Sequence, residues 1–264
     1  MGLYKAEGII LKSFNLGEAD RVLTIYTRQY GKISAVAKGV RKSRSKLRGA
    51  TQTLTHAALV LYRGRSMDTI TQCEAKEMFP GIRADLYRWA YATFMLELVD
   101  AFAPEGQPQT GVFVRLLLSL HLVETLEEPE LGALFFAVHL LQLLGYQPQL
   151  QNCAACGSSL PEPDLAALSG SFGGLLCRAC ESLDPYCFNV QGGEIAVWRR
   201  LLTSDARLLG RLKLSAKLKQ DLLQALKYYV QYHLERQLKS VSFLRHLNLL
   251  DQDKIKSSKE DYRQ

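Results

Sequence analysis

The sequence predicts an α+β protein of several domains: a small five-stranded β-barrel, then an all-helical domain into which a four-cysteine module is set. Three observations carry this. Short strand-like runs separated by turn signals fill the first 80 residues, and the apolar period becomes helical after Pro80. Two Cys-x-x-Cys pairs interrupt the helical part between residues 150 and 190. The chain has 264 residues, 47% of them hydrophobic and 22% charged, with only 8 Pro and 19 Gly. That composition supplies packed cores and excludes disordered and collagen-like classes.

The strands follow in order. Tyr4 to Phe14 alternates through Tyr4, Ala6, Gly8 and Ile10, and Arg21 to Tyr26 and Lys32 to Ala37 are rich in Val, Ile, Thr and Ala. Thr53 to Tyr62 and Asp68 to Ala75 complete the set. Turn signals separate them at Asn15-Leu16-Gly17, Gln29-Tyr30-Gly31, residues 38–49 and Arg63-Gly64-Arg65-Ser66. Five short strands in this length fit an OB-like barrel, which closes on itself and leaves no sheet edge. An open five-stranded sheet satisfies the same pattern. Gly8, Gly31 and Gly39 favour closure by offering bends.

Helical spacing begins with Asp85 to Phe102, which carries Leu86, Trp89, Ala90, Phe94 and Leu98 and stops before Pro104. A second helix starts with Thr110 as cap and presents Phe113, Leu116, Leu117 and Leu120. The third has Pro129 in its first turn and Gly145 past its end. Glu194 to Leu202 and Ser215 to about Leu247 resume the period. The expected division is 1–80 for the barrel, 81–149 with 191–250 for the helical domain, 150–190 for the cysteine module and 251–264 for a disordered, charged tail.

The module holds Cys153-Ala-Ala-Cys156-Gly and Cys177-Arg-Ala-Cys180, with 20 residues between the pairs. Each Cys-x-x-Cys makes a tight turn whose amides point at the sulfurs, and two such turns bring four thiolates to one tetrahedral metal ion. The intervening Gly, Ser, Pro and Ala give little bulk to bury, so a metal would supply the missing folding energy. One structural zinc ion on Cys153, Cys156, Cys177 and Cys180 is the reading; four thiolates leave no open position for catalysis. A redox pair and two disulfides are the competing readings, but the strand–helix units of a thioredoxin are missing. Cys187 could substitute as a ligand but reads rather as a buried spare thiol, and Cys73 reads as core.

Charge is unevenly spread. Residues 1–80 hold 14 basic and 6 acidic side chains, residues 81–180 hold 4 and 10, and residues 181–264 hold 15 and 10, summing to the net +7. The densest run is Lys38, Arg41, Lys42, Arg44, Lys46 and Arg48, six cations without an acid. Gly39, Ser43, Ser45 and Gly49 make it a loop; alone, a solvated and mobile connection explains it as well as a polyanion site does.

The text EGIILKSFNLGEADRVLTIYTRQYGKISAVAKGVRKSRSKLRG, followed by LVLYRGRSMDTITQCE, resembles the bacterial recombination mediator family RecO. The likeness is strongest over residues 7–77 and 153–180, and the cysteines would place the chain in a zinc-containing branch where the metal supports the fold. The resemblance implies a non-enzymatic role in homologous recombination and gap repair. It implies binding of single- and double-stranded DNA, annealing of complementary strands, contact with the C-terminal tail of the single-stranded DNA-binding protein, and help from RecR in loading RecA.

The residues themselves reach part of this. OB barrels bind strands across their second and third strands and the flanking loops, with cations on phosphates and aromatics on bases. The candidates are Arg21, Lys32, Lys38, Arg41, Lys42, Arg44, Lys46, Arg48, Arg63 and Arg65, with Tyr26 and Tyr30 as possible stacking rings, although Tyr26 reads equally as barrel core. For the acidic tail of the single-stranded DNA-binding protein, Arg199, Arg200, Arg207, Arg211, Lys213, Lys217 and Lys219 are cationic candidates, and a plain solvated helix face is an equal reading.

No enzyme motif appears: there is no phosphate-cradling Gly loop, His-Glu-x-x-His or Gly-x-Ser-x-Gly, and the five histidines are scattered. Glu124, Glu127, Glu128 and Glu130 read as solvated. A zinc-ribbon regulator of transcription or translation is the alternative reading. No secretory signal is expected at the start, and the uncharged run Leu131 to Leu144 is too short for a bilayer, so a cytoplasmic, nucleoid-associated protein without a membrane partner or small-molecule substrate is expected.

Overall fold

A computed structural model describes residues 2–43, 45, 47–160, 165–234, 238–240 and 243–244. Strands β1 (Leu3–Leu16), β2 (Asp20–Thr27), β3 (Gly31–Ala37), β4 (His56–Tyr62) and β5 (Asp68–Glu77) form a closed barrel in the order β1-β2-β3-β5-β4. Closure comes from a short parallel pairing of β3 with β5, Ala35 opposite Asp68 and Val36 opposite Thr69. Inside lie Ile10, Leu23, Ile25, Leu59, Leu61 and Ile70, all buried.

The long β1 serves two partners because it bends at a bulge between Ile10 and Lys12. Gly8, expected to supply a bend, instead allows close packing: a Cβ there would meet Ile25 Cγ2 at 2.6 Å. The pleat turns Ile9, Leu11 and Tyr26 outward, where they join the core of the helical domain.

That domain contains α1 (Pro80–Ala84), α2 (Leu86–Phe102), α3 (Thr110–Thr125), α4 (Pro129–Leu143), α5 (Gly192–Thr203) and α6 (Ala216–His233). The Asp85 carboxylate caps α2 by accepting from Arg88 N at 2.9 Å, and Ser215 Oγ caps α6 by accepting from Leu218 N at 3.2 Å. α5 opens with a capping box between Gln191 and Glu194. α4 is buried on every side from Leu131 to Leu141, which explains its uncharged sequence: it is the central helix of the domain, and no described helix is long and apolar enough to cross a membrane.

Two helical expectations shift. Gln109, not Thr110, occupies the cap position of α3. The period from Ser215 to Leu247 is not one helix, since α6 stops at His233 and Leu234 is extended. Beyond it, Glu97 accepts from Lys239 N at 3.0 Å and Ser240 N at 2.8 Å. The expected tail, 251–264, lies outside the described residues.

Between α4 and α5 runs a small antiparallel sheet of β6 (Leu165–Ser169), β7 (Gly174–Leu176) and β8 (Phe188–Gln191), in the order β7-β6-β8. Sequence reading assigned no strands here. Alternation explains its role: Ala166, Leu168, Leu175 and Val190 face the helical core, while Ala167 and Leu176 face the cysteines.

Barrel and helices meet along a polar seam. Lys12 Nζ pairs with Asp100 Oδ2 at 2.9 Å, Tyr26 Oη donates to Gln109 O at 3.3 Å, and Gly106 N donates to Lys32 O at 2.9 Å. Gly31 has φ of 66° and lies so close to residue 107 that a Cβ would strike its carbonyl oxygen at 2.3 Å. Only glycine satisfies both conditions.

Candidate nucleic-acid interface and metal centre

The basic loop is not a loose connection in its described part. Gly39, left-handed at φ 63°, donates its amide to Asp20 Oδ1 at 2.7 Å. Arg41 N donates to Ala19 O at 2.9 Å and its guanidinium to Gly17 O at 2.8 Å, fastening the loop to the β1–β2 turn. Val40 is buried in the barrel core and Leu47 packs against it. Within and beside this anchored stretch Lys38, Lys42 and Arg48 are exposed and form no ion pair among the described residues. Arg44 and Lys46 lie outside the described residues.

The other candidates divide. Arg21 stands beside this loop, opposite both Asn15 on β1 and Ala37 on β3, one residue before Lys38. Arg63 lies over the rings of Tyr4 at 5.0 Å and Tyr30 at 5.9 Å, with Tyr4 donating to Asp68; Arg65 is exposed in the same hairpin. Lys32 is half-buried at the seam between barrel and helices. Its ammonium donates to Asp100 O at 2.7 Å, because β3 begins in the seam. Tyr26 is core, as one of its two readings held, so it offers no stacking face.

The cysteine pairs meet as expected of a metal site. Sγ atoms of Cys153, Cys156, Cys177 and Cys180 all lie within 4.8 Å of one another, and Cys156 and Cys177 are 3.8 Å apart. Thiolates at about 2.3 Å from a tetrahedral zinc would be separated by about 3.8 Å, so the cage fits such an ion. Gly157 is left-handed at φ 76°, and its amide closes the first turn on Cys153 O at 2.9 Å. Burial raises the Cys153 thiol, but amides of Cys156, Cys177 and Ala155 outweigh it and bring it down to about 6. Cys180, hydrogen-bonded to Cys177 and Cys156, is pushed up to about 12. One thiolate thus forms readily while another resists, and a cation held by the four sulfurs would let all of them ionise together. Cys187 sits half-buried beside this cage, with its thiol raised by burial, and stands outside the four-sulfur set.

Comparison with known proteins agrees with this layout. Residues 1–79 match the family model for the recombination protein O N terminal, and residues 83–242 match that for the C terminal. The chain belongs to the RecO family. Similar relatives include the DNA repair protein RecO of Pelotomaculum thermopropionicum, 38% identical over 92% of this chain and 94% of the relative. Those of Symbiobacterium thermophilum and Heliobacterium modesticaldum are 38% and 39% identical over 92% of this chain, covering 97% and 90% of the relatives. Membership in RecO places the chain in DNA repair and recombination.

Within this RecO chain the carboxyl-terminal cations are largely engaged. Lys219 pairs with Glu130 at 2.5 Å and Glu128 at 3.3 Å, Lys213 with Glu127 at 3.5 Å, and Arg207 with Asp205 at 2.7 Å. Arg199 ties α5 to the module through Leu150 O and Leu160 O. Arg200, Arg211 and Lys217 are exposed. The acids read as solvated are the other half of these pairs, and Glu124 accepts from Gly81 N at 2.8 Å. Spacing in sequence hides this neutralisation, since the paired residues are 86 and 89 positions apart.

Proposed function

We propose that this protein is a non-enzymatic recombination mediator that holds single- and double-stranded DNA on the anchored basic loop and neighbouring cations and anneals complementary strands. In this reading residues 1–80 are the DNA-binding domain, and residues 150–190 are a module held by one zinc ion on Cys153, Cys156, Cys177 and Cys180. The protein acts in the cytoplasm, with RecR and the tail of the single-stranded DNA-binding protein as partners in loading RecA.

One observation carries the DNA assignment. Of the carboxyl-terminal candidates Arg207, Lys213 and Lys219 are paired with acids and the exposed Arg200, Arg211 and Lys217 are dispersed along the chain, whereas Lys38, Lys42 and Arg48 stand exposed together on one loop fixed to the barrel. Annealing requires two polyanions to approach, and a fixed cationic surface lowers their repulsion without bond-making chemistry. The zinc supplies cross-linking of the two cysteine turns; the DNA contacts are made by the chain's own cations and need no metal.

Binding of a fluorescent thymidine oligonucleotide across salt concentrations tests the assignment. Six phosphate contacts give a logarithmic salt slope of about −4, so affinity falls about 300-fold between 50 and 200 mM. Replacing Lys42, Arg44 and Lys46 by Ala, with the anchoring Arg41 kept, should flatten the slope to about −2 and slow annealing, with little change in melting temperature. An unchanged slope removes the loop from the interface.

A further inference from the structure

Three grooves on the described surface differ in charge. One, by the α3–α4 turn, carries Glu127 and Glu128; a second, beside α2, carries Asp85, Glu127 and Glu130. The third, of about 370 Å³, opens at the seam of barrel and helices, and no carboxylate lines it. Phe14, Asn15, Arg21, Gln52, Arg83 and Trp89 do.

Both ends of the basic loop converge here. Arg21 is paired to Ala37, just before Lys38, and Gln52 follows the loop's last residues. Arg83 fixes this convergence by donating to Met78 O at 2.6 Å, Thr53 O at 2.7 Å, Leu54 O at 3.1 Å and Gln52 Oε1 at 3.3 Å. Leu54, held in that clasp, has φ of 62° and buries its side chain in the helical core. The guanidinium also lies 5.7 Å from the centre of the Trp89 ring. Phe14 is 52% exposed on the same groove, an apolar ring that the fold itself does not bury.

We propose that this groove seats an unpaired base of single-stranded DNA against Phe14 and Trp89, while Arg21 and the basic loop hold the flanking phosphates. The proposal rests on the DNA-binding reading above and adds a strand preference to it. Duplex bases are stacked inward and present no face, whereas each base of a single strand offers one to an aromatic ring. Cations without acids at a ring-lined groove match that occupant in charge and in shape. Arg83 acts as a positioning residue, since its donors are engaged by the chain.

Tryptophan emission gives a direct test, because the chain has two tryptophans and Trp198 is only 2% exposed. The full chain is titrated with a thymidine oligonucleotide and with an abasic oligonucleotide of equal length. Thymidine should quench emission, and Trp89→Phe should abolish that response. Phe14→Ala should weaken thymidine binding about tenfold, within the range of one lost stacking contact, and leave the salt slope and abasic binding unchanged. Since Phe14 is exposed, its removal should leave melting unaltered. If the wild type binds with its salt slope while Phe14→Ala binds thymidine equally well, or emission is unmoved, the groove is not the base site. Wild-type protein that binds neither oligonucleotide overturns the DNA reading as well.

Discussion

The barrel and the cysteine module are both small β structures, but they are held in different ways. The barrel encloses eleven buried hydrophobic residues, among them Ile10, Leu23, Ile25 and Leu61. The cysteine face of the module encloses Cys153, Ala167 and Leu176. Burial of aliphatic side chains stabilises by about 1.5–3 kcal/mol each, so the barrel carries its own driving force. The module's sheet borrows one face from the helical core, and its other face depends on what joins the sulfurs. The lesson is that one small β unit reaches order through buried area, whereas the other, half its length, has the geometry to reach it through ligation.

The largest effect should follow metal removal. Chelation, or Cys153→Ser, should strip hydrogen-exchange protection from residues 152–160 and 176–187 by orders of magnitude and leave the barrel strands protected. In the chelated wild type Cys153, its thiol brought down to about 6 by neighbouring amides, should react quickly, whereas Cys73, its thiol raised by burial to about 11 and donating to Ala50 O at 3.3 Å, should stay slow. Equal protection with and without chelator would erase the contrast. Next in size is Ile25→Ala, which leaves a cavity in the barrel and should cost about 2–5 kcal/mol in denaturant unfolding. Its cost should be the same before and after chelation; a dependence on metal would mean that the two regions unfold together.

How legible each region was follows from the same difference. Barrel strands were readable because β-branched runs alternate over seven to fourteen residues with glycine turns between them. The four sulfurs were readable because Cys-x-x-Cys spacing fixes its own geometry. The strands β6, β7 and β8 were not: at five, three and four residues they are too short to show a period, and their partners are set by tertiary packing. Lys32 looks like any strand cation, and nothing near it in sequence announces Asp100, 68 residues on. The pairing of Lys219 with Glu128 and Glu130 was equally invisible, since it joins helices far apart in the chain. Trp89 reads as a helix residue and Arg83 carries no signal of its own, and only the folded seam brings them beside Phe14 and Arg21.

The smallest predicted effect belongs to Asp184, the polar counterpart of the sulfurs in the module. Its buried carboxylate accepts from Ser169 Oγ at 2.5 Å, Ser171 Oγ at 2.9 Å and Tyr186 N at 3.0 Å. The Ser169 hydrogen bond, against the cost of burial and with help from Tyr186 and Ser171, holds the carboxyl below its ordinary value. A group lowered on folding binds protons more tightly when unfolded, so it stabilises above the unfolded value near 3.9 and loses that contribution as pH falls through the folded one. Asp184→Asn should cost about 1–2 kcal/mol at neutral pH, as expected for losing hydrogen bonds to a charged acceptor. The gap between wild type and variant should close as the pH drops below about 4. Because Ser169 and Ser171 are on the strand β6 and its turn, the loss should appear in module exchange rates and not in the barrel, where no described group bonds to Asp184. A gap that widens on acidification would mean that Asp184 is held neutral in the fold, reversing the sign.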